Sequence, residues 1–451
     1  MGAATAHRSS KYSVVKKVLL LSCAAVVALA YSKRTTVRPF LVGVRLNDEA
    51  ILVRKDPPKV LWMADLHDGT RVDFPSQWME LGHAVLNMGI KQRNGPYPIP
   101  LSKMEYPSRP LSSVAVHYSS HSTKLTESMA REFFEYYKDD PDLLRADAFL
   151  CQFPPAYCQM YLPFNKTIII IASHRIFLGR CTSAESSRLV QHLHSMTKNN
   201  TGVQHVIAAS NVYDSEYLNF FTGLKVPVIP ASSFGYQTCA YKPEREEIII
   251  GPTQRESIPA FLADHFAKSK FQYTLMRTLY GRYDTEDLCK HRAFVMVPYA
   301  VHSYGFVEVY SLSIPIFAPT IELAVKENIF DDKNVNDEYY CGRNASLPPR
   351  ASTTHPFSPE DTTSEAVKYW LQFADMYQLP HIQYFNTYQE LERLLEDTNF
   401  SEVHKKMKLY NNQRRQAIRA KIHDIARSCS KGRVSRNWAE AIKPWGSTLM
   451  E

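Results

Sequence analysis

Phe294–Pro319 reads FVMVPYAVHSYGFVEVYSLSIPIFAP, and the fold turns on how this stretch is parsed. Phe294–Val297 is a short apolar run that Pro298 ends. A polar turn containing Gly305 follows, then a short amphipathic segment with Glu308 in its first turn. Ile314–Phe317 is a second apolar run, again bounded by prolines. Strand, polar turn, helix and strand make a βαβ unit. Ligands of such units collect at the carboxyl ends of the strands, beside helix N-termini.

Upstream the same alternation recurs. Val60–Met63 is an apolar strand that runs into Asp65, His67, Asp68 and Gly69. Trp78, Leu81, Val85 and Met88 then share one helical face, which predicts a helix over Ser76–Met88 with Gly89 as its C-cap. A helix over Thr126–Lys138 and a strand over Ala148–Phe153 follow. Ile168–Ala172 opens with four isoleucines, a strand buried on both faces, and ends at Ser173, His174 and Arg175. A helix over Ser186–Met196, a strand over Val206–Ala209 ending at Ser210 and Asn211, a helix over Asp214–Thr222 and a strand over Val226–Ile229 complete the series. Three of these strands end in polar residues, the pattern of a parallel sheet with one functional edge. Arg175 and Asn211 are placed to face the same crevice as Asp68. Asp140-Pro141-Asp142 follows a helix and reads as a solvated turn.

Downstream, Tyr236–Glu247 is polar and reads as a connection, and Ile248–Ile250 as a new strand leaving through Gly251 towards Arg255. Tyr283–Asp287 is an acidic first turn of a short helix. Asp331–Ser364 reads as an exposed insertion holding Cys341 and Asn344. Ser364–Met376 is helical, His381–Phe385 a strand, and Thr387 with Glu390 a capping box. Ser401–Ser428 is a long basic helix with Val403, Met407, Tyr410, Ile418, Ile422 and Ile425 as its buried face, and its cations read as a solvated face.

At 451 residues, with 45 % hydrophobic and 22 % charged residues, the chain exceeds one ordinary core and implies two α/β domains. A net charge of +8 permits an anionic partner, such as a nucleotide-sugar or an acidic glycan, without requiring one. No nucleic-acid-binding motif occurs. None of the eight cysteines forms a C-x-x-C pair, which argues against structural zinc. Cys151 and Cys158 flank QFPPAY and are the nearest candidates for a disulfide. Residues 1–17 are basic and 18–31 apolar, which reads as a cytosolic tail and a signal anchor in a single-pass type II arrangement. Ala28-Leu29-Ala30 leaves a cleaved signal peptide as the other reading. Either way the remainder is translocated. The sequons at Asn165, Asn199, Asn344 and Asn399 agree, as N-glycosylation candidates. The expected layout is a stem over 32–57, an acceptor-side α/β domain over 58–235, a nucleotide-sugar-side α/β domain over 236–430 and a tail over 431–451.

The spacing of Gly305, Glu308 and Pro315 resembles the donor-site signature of retaining GT-B glycosyltransferases of the family-4-like and exostosin-like group. Ser313 stands where that family usually has Gly, and Ala300–His302 occupy the place of its upstream Glu. The resemblance covers about thirty residues. It implies two doubly wound, Rossmann-like domains facing across a cleft. It also implies transfer of a sugar from a nucleotide-sugar to a glycan, protein or lipid acceptor, without catalytic metal or cofactor, in the Golgi or endoplasmic reticulum membrane. Glu308 would hold the ribose, and Ser303, Tyr304 and Gly305 the diphosphate with Arg255, while Tyr299 would pack near the base. Asp65, His67 and Asp68 would sit near the reacting carbon, as a base or to orient the acceptor. Two rivals stand beside this. Asp65 and His67 also resemble the opening of a metallophosphoesterase site, although that family's further motifs are missing. A transferase fold without catalysis is the other.

Overall fold

The computed structural model describes residues 57–65, 68–87, 104–105, 108–109, 125–173, 176–177, 182–198, 201–236, 239–251, 265–281, 283–297, 300–329, 347–446 and 449, with Asp68 and Arg71 described in backbone only. The tail, anchor and most of the stem expected over residues 1–57 lie outside them. Among the described residues no helix is long and apolar enough to cross a membrane.

The first half runs β1 (Val60–Met63), α1 (Asp68–Glu80), β2 (Ala84–Asn87), α2 (Glu127–Tyr137), α3 (Pro141–Arg145), β3 (Ala148–Cys151), β4 (Thr167–Ala172), α4 (Ser183–Thr197), β5 (Val206–Ala209) and α5 (Val212–Thr222). The second runs β6 (Ile248–Gly251), β7 (Tyr273–Leu275), α6 (Met276–Tyr280), α7 (Thr285–Cys289), β8 (Phe294–Met296), α8 (Tyr304–Ser311), β9 (Ile316–Pro319), α9 (Ile321–Lys326), α10 (Ser364–Leu371), α11 (Asp375–Gln378), β10 (Gln383–Phe385) and α12 (Tyr388–Asp397). Then come α13 (Phe400–Ser428) and α14 (Trp438–Ile442).

Among the described residues the strands form two five-stranded sheets, β2-β1-β3-β4-β5 and β10-β9-β8-β6-β7. Every pair within them is parallel. Counted from its own first strand, each sheet has the same order, second-first-third-fourth-fifth. That order reverses direction between the first and third strands, so each sheet has a switch point, the place where sheets of this kind bind ligands. The switch points lie at β1/β3 and β6/β8.

The isoleucines of β4 show why the first sheet forms. Ile168 and Ile170 join one apolar cluster with Trp62, Phe149, Phe134 and Leu193. Ile169 and Ile171 join another with Leu61, Met63, Trp78 and Ile422. Alternate residues of a strand point to opposite faces, so a continuous apolar run serves a sheet covered on both sides. Helices α2, α4 and α14 supply residues to one cover and α1 and α13 to the other.

Several sequence expectations need correction. The segment expected as one helix over Ser76–Met88 is the end of α1, a turn and β2. Gly82 has φ +87° and breaks the helical spacing, so Ala84–Asn87 pairs with β1 instead. Val226–Ile229 makes only an isolated bridge between Val228 and Ala209. Glu308 lies in the second turn of α8, which begins at Tyr304. Ser364–Met376 divides into α10 and the start of α11. Thr387 caps α12, but the Glu390 carboxylate accepts from Asn386 N rather than closing the box on Thr387. Cys151 and Cys158 are buried thiols, and among the described residues a disulfide joins Cys239 to Cys289. The described part of the 331–364 insertion is anchored, since Ala351 N and Ser352 N donate to Phe220 O and the Tyr217 hydroxyl donates to Glu360.

Both halves belong to one unit, Arg54–Glu451, and α13 threads it. Twenty-nine residues span about 43 Å at helical rise. On the second half, Asn411 Nδ2 donates to Tyr310 O at 2.8 Å and to Ser313 Oγ at 3.0 Å. Ser313 has φ +60°, the left-handed region where glycine is the usual residue, and Asn411 supports it there. On the first half, Ile418, Ile422 and Ile425 are buried against β1 and α1. Between these contacts, cations expected on a solvated face hold the crossing segment over 228–234: Arg414 donates to Ala231 O, Arg415 to Phe234 O and Lys421 to Val228 O. Past α13, the presumed tail packs on the first half, with Thr167 N donating to Ser430 O and Trp438 and Trp445 in its core.

Asp73 of α1 fixes the crossing from the other side. Its carboxylate accepts from Ser232 N, Ser233 N and Ser232 Oγ at 2.8, 2.8 and 3.0 Å. Asp73→Ala leaves these buried donors without that acceptor, at about 1–3 kcal/mol each. We expect a loss of at least 3 kcal/mol in urea unfolding, and a loss below 1 kcal/mol would show that the crossing is held elsewhere.

Candidate functional site

The start of α8 brings the two switch-point edges together. Tyr304, its first residue, lies against Gly69 near the start of α1: a Cβ on Gly69 would meet the Tyr304 ring at 2.5–2.8 Å. Only glycine lets the two helix starts approach this closely.

On the first-half side, Asp65 ends β1 and is buried. Its Oδ1 accepts from Gln152 N at 3.1 Å and Phe153 N at 3.3 Å, so the carboxylate joins the exits of β1 and β3 at the switch point. Asn211 is also buried at the exit of β5. It caps α5, accepting from Asp214 N at 2.7 Å and donating to Asp214 Oδ2 at 2.6 Å. Ser173, at the end of β4, donates to Gln152 O.

On the second-half side, Ser303 is the N-cap residue of α8, and Gly305 follows Tyr304 in its first turn. Glu308 is 3 % exposed, and its Oε2 accepts from the Tyr283 hydroxyl at 3.0 Å. His302 is buried beside α8 and pairs through Nδ1 with Asp375 of α11. Asp375 N donates to Val301 O at 3.2 Å, which ties α11 to the loop that carries the histidine.

The carboxylates act across this junction. Burial disfavours the His302 imidazolium, but Asp375, with Asp214 and Asp73 behind it, outweighs burial and raises its pKa above the ordinary value. Burial, reinforced by Asp73, Asp65, Asp375 and Asp214, holds the Tyr304 phenol well above its usual range. The junction therefore contains an imidazole whose protonation Asp375 favours and a neutral phenol beside a helix N-terminus, a combination able to receive an anion.

Tyr304 thus lies against Gly69 with Asp65 near enough to act on its phenol, while Ser303, Gly305 and Glu308 stand on or at the start of α8 and Asn211 at the exit of β5. His67, Arg175, Arg255 and Tyr299 lie outside the described residues, as do the side chain of Asp68 and the sequons at Asn199 and Asn344. Asn165 adopts a left-handed conformation, with its sequon threonine Thr167 buried in β4, whereas Asn399 is an exposed cap of α13. Among the described residues no group of three His, Cys, Asp or Glu side chains is placed to hold a metal ion. Sequence reasoning assigned no role to Gly69, Asp73, Tyr283, His302 or Asp375. His302 lay inside the organising stretch, but its carboxylate partner is 73 residues away.

No family model matches the chain, and no curated protein matches it. Among solved structures, CalG4, the calicheamicin glycosyltransferase, aligns at 9 % identity and TM-score 0.40, covering 82 % of this chain and 98 % of that one. The glycosyltransferase SnogD from Streptomyces nogalater aligns at 13 % identity and TM-score 0.38, covering 82 % and 100 %. A UDP-glucosyltransferase from Polygonum tinctorium aligns at 10 % identity and TM-score 0.39, covering 83 % and 98 %. Likeness at these scores carries no argument, and the two-sheet topology rests on its own hydrogen-bond ladders.

The raised His302 pKa has a signed consequence. A histidine whose folded pKa exceeds its unfolded value contributes stability below the unfolded pKa and loses it as pH rises through the folded one. The stability of wild type over Asp375→Asn should be greatest near pH 6, below the ordinary histidine value of about 6.5, and should shrink as pH rises above it. Denaturant unfolding across that range checks this, and a difference that grows with pH would contradict it.

Proposed function

We propose that the chain is a glycosyltransferase carrying a sugar from a nucleotide-sugar donor to a hydroxyl-bearing acceptor, with the donor on the second half and the acceptor on the first. The observation that carries this reading is the buried Glu308 on α8, set behind a helix start that meets the first half at Gly69. Two parallel sheets of identical strand order, meeting near their switch points, support a GT-B-like arrangement.

In this reading the Glu308 carboxylate accepts hydrogen bonds from the ribose hydroxyls. The N–H groups at the start of α8 and the His302 ring, whose protonation Asp375 favours, receive the diphosphate and stabilise the charge that develops on it as the sugar leaves. Tyr304, neutral throughout the working pH range, serves as a hydroxyl donor. Asp65, held by two backbone N–H groups, belongs with His67 and Asp68 to the acceptor wall, where a carboxylate or imidazole takes the acceptor proton. Neither a metal nor a cofactor is part of this proposal. A secretory-pathway location, membrane-attached through residues 18–31, is proposed with it, and the Cys239–Cys289 disulfide supports an oxidising compartment.

A thermal-shift screen of the purified protein with UDP, GDP and CMP, each with manganese or with EDTA, tests the proposal. One nucleotide should stabilise wild type in EDTA, and Glu308→Ala should weaken that binding by tenfold or more, about 1.4 kcal/mol. Stabilisation by metal alone, or none by any nucleotide, would overturn it.

A further inference from the structure

We propose that Tyr283 is a positioning residue for ribose recognition, holding the Glu308 carboxylate in its reading orientation before any nucleotide arrives; this rests on the donor site proposed above. The Tyr283 hydroxyl donates to Glu308 Oε2 at 3.0 Å. A carboxylate has about four lone-pair sites, so a phenol and ribose hydroxyls can share one. Glutamate has several rotatable bonds, and fixing them on binding costs affinity unless the protein has already done so.

Tyr283 is suited to this task because the helix that follows it, α7, is fixed at both ends. Tyr283 precedes Asp284, the N-cap of α7, which forms a reciprocal box with Asp287. At the other end of α7, Cys289 is bonded to Cys239. Lys242 N donates to Cys289 O at 3.0 Å, adding a backbone tie to the same place. The phenol is half-buried and comes from a different βα segment than the carboxylate. Glu308 is thus oriented by an element outside its own helix.

The test is calorimetric titration of wild type, Tyr283→Phe and Glu308→Ala with UDP and GDP and with their 2′,3′-dideoxy forms. Phenylalanine keeps the ring and deletes only the donor. Tyr283→Phe should weaken ribonucleotide binding about tenfold. It should leave dideoxynucleotide binding unchanged, so that the preference for ribose falls towards that of Glu308→Ala. Unchanged ribonucleotide affinity in Tyr283→Phe, with Glu308→Ala impaired, would overturn the role of Tyr283 alone. Equal loss for ribo- and dideoxy forms would assign Tyr283 a purely structural role and also overturn it. Absence of any ribose preference in wild type, with Glu308→Ala unimpaired, would remove the donor site itself.

Discussion

Asp73 lies on α1 with its carboxylate buried, and the segment that crosses between the sheets hangs from it by two N–H groups and a hydroxyl. Burial raises the pKa of this carboxyl, while the Ser232 and Ser233 donors and the Arg414 charge pull the other way. The crossing is also gripped from the second half, because Ser311 of α8 donates to Ser232 O. A single turn of backbone over 231–233 is therefore bonded to α1, α8 and α13 together. Movement of one sheet relative to the other would have to break buried hydrogen bonds at this point, which is costly in a low-dielectric interior.

The same geometry explains the composition of the site. With the crossing held short, the exits of β1 and β5 and the start of α8 are close enough for carboxylates of one half to act on ring groups of the other. Asp375, with Asp214 and Asp73 from separate elements behind it, raises the His302 pKa against the effect of burial. Glycine at position 69 is needed for the same closeness.

Much of the sheet architecture was legible because strand burial writes itself into local composition. Four isoleucines at 168–171 and the apolar runs at 148–151 and 294–297 admit few other readings. Strand β2 was not legible: Trp78, Leu81, Val85 and Met88 fit a helical spacing, and only Gly82, in a conformation that sequence alone does not display, marks the break. Within the site, α8 was found because its residues are contiguous. Tyr283 with Glu308, and His302 with Asp375, are pairs made by topology over 25 and 73 residues, and nothing local announces them. The disulfide was missed for that reason too, since proximity in sequence favoured Cys151 and Cys158 over partners 50 residues apart.

The return of the chain after α13 inverts the order in which the protein is made and finished. β4 is synthesised early, yet Thr167 at its start bonds Ser430, 263 residues later. The first half also waits for Ile422 to cover one face and for Trp438 and Trp445 to close the other. While the second half is being translated, the first has its five strands but lacks α13 and α14, which leaves part of its apolar faces uncovered. Its closure is a post-synthetic event with high contact order, slow by nature and exposed to aggregation. A chain ending before Ser430 would lack part of the interior of its opening domain rather than a dispensable appendage.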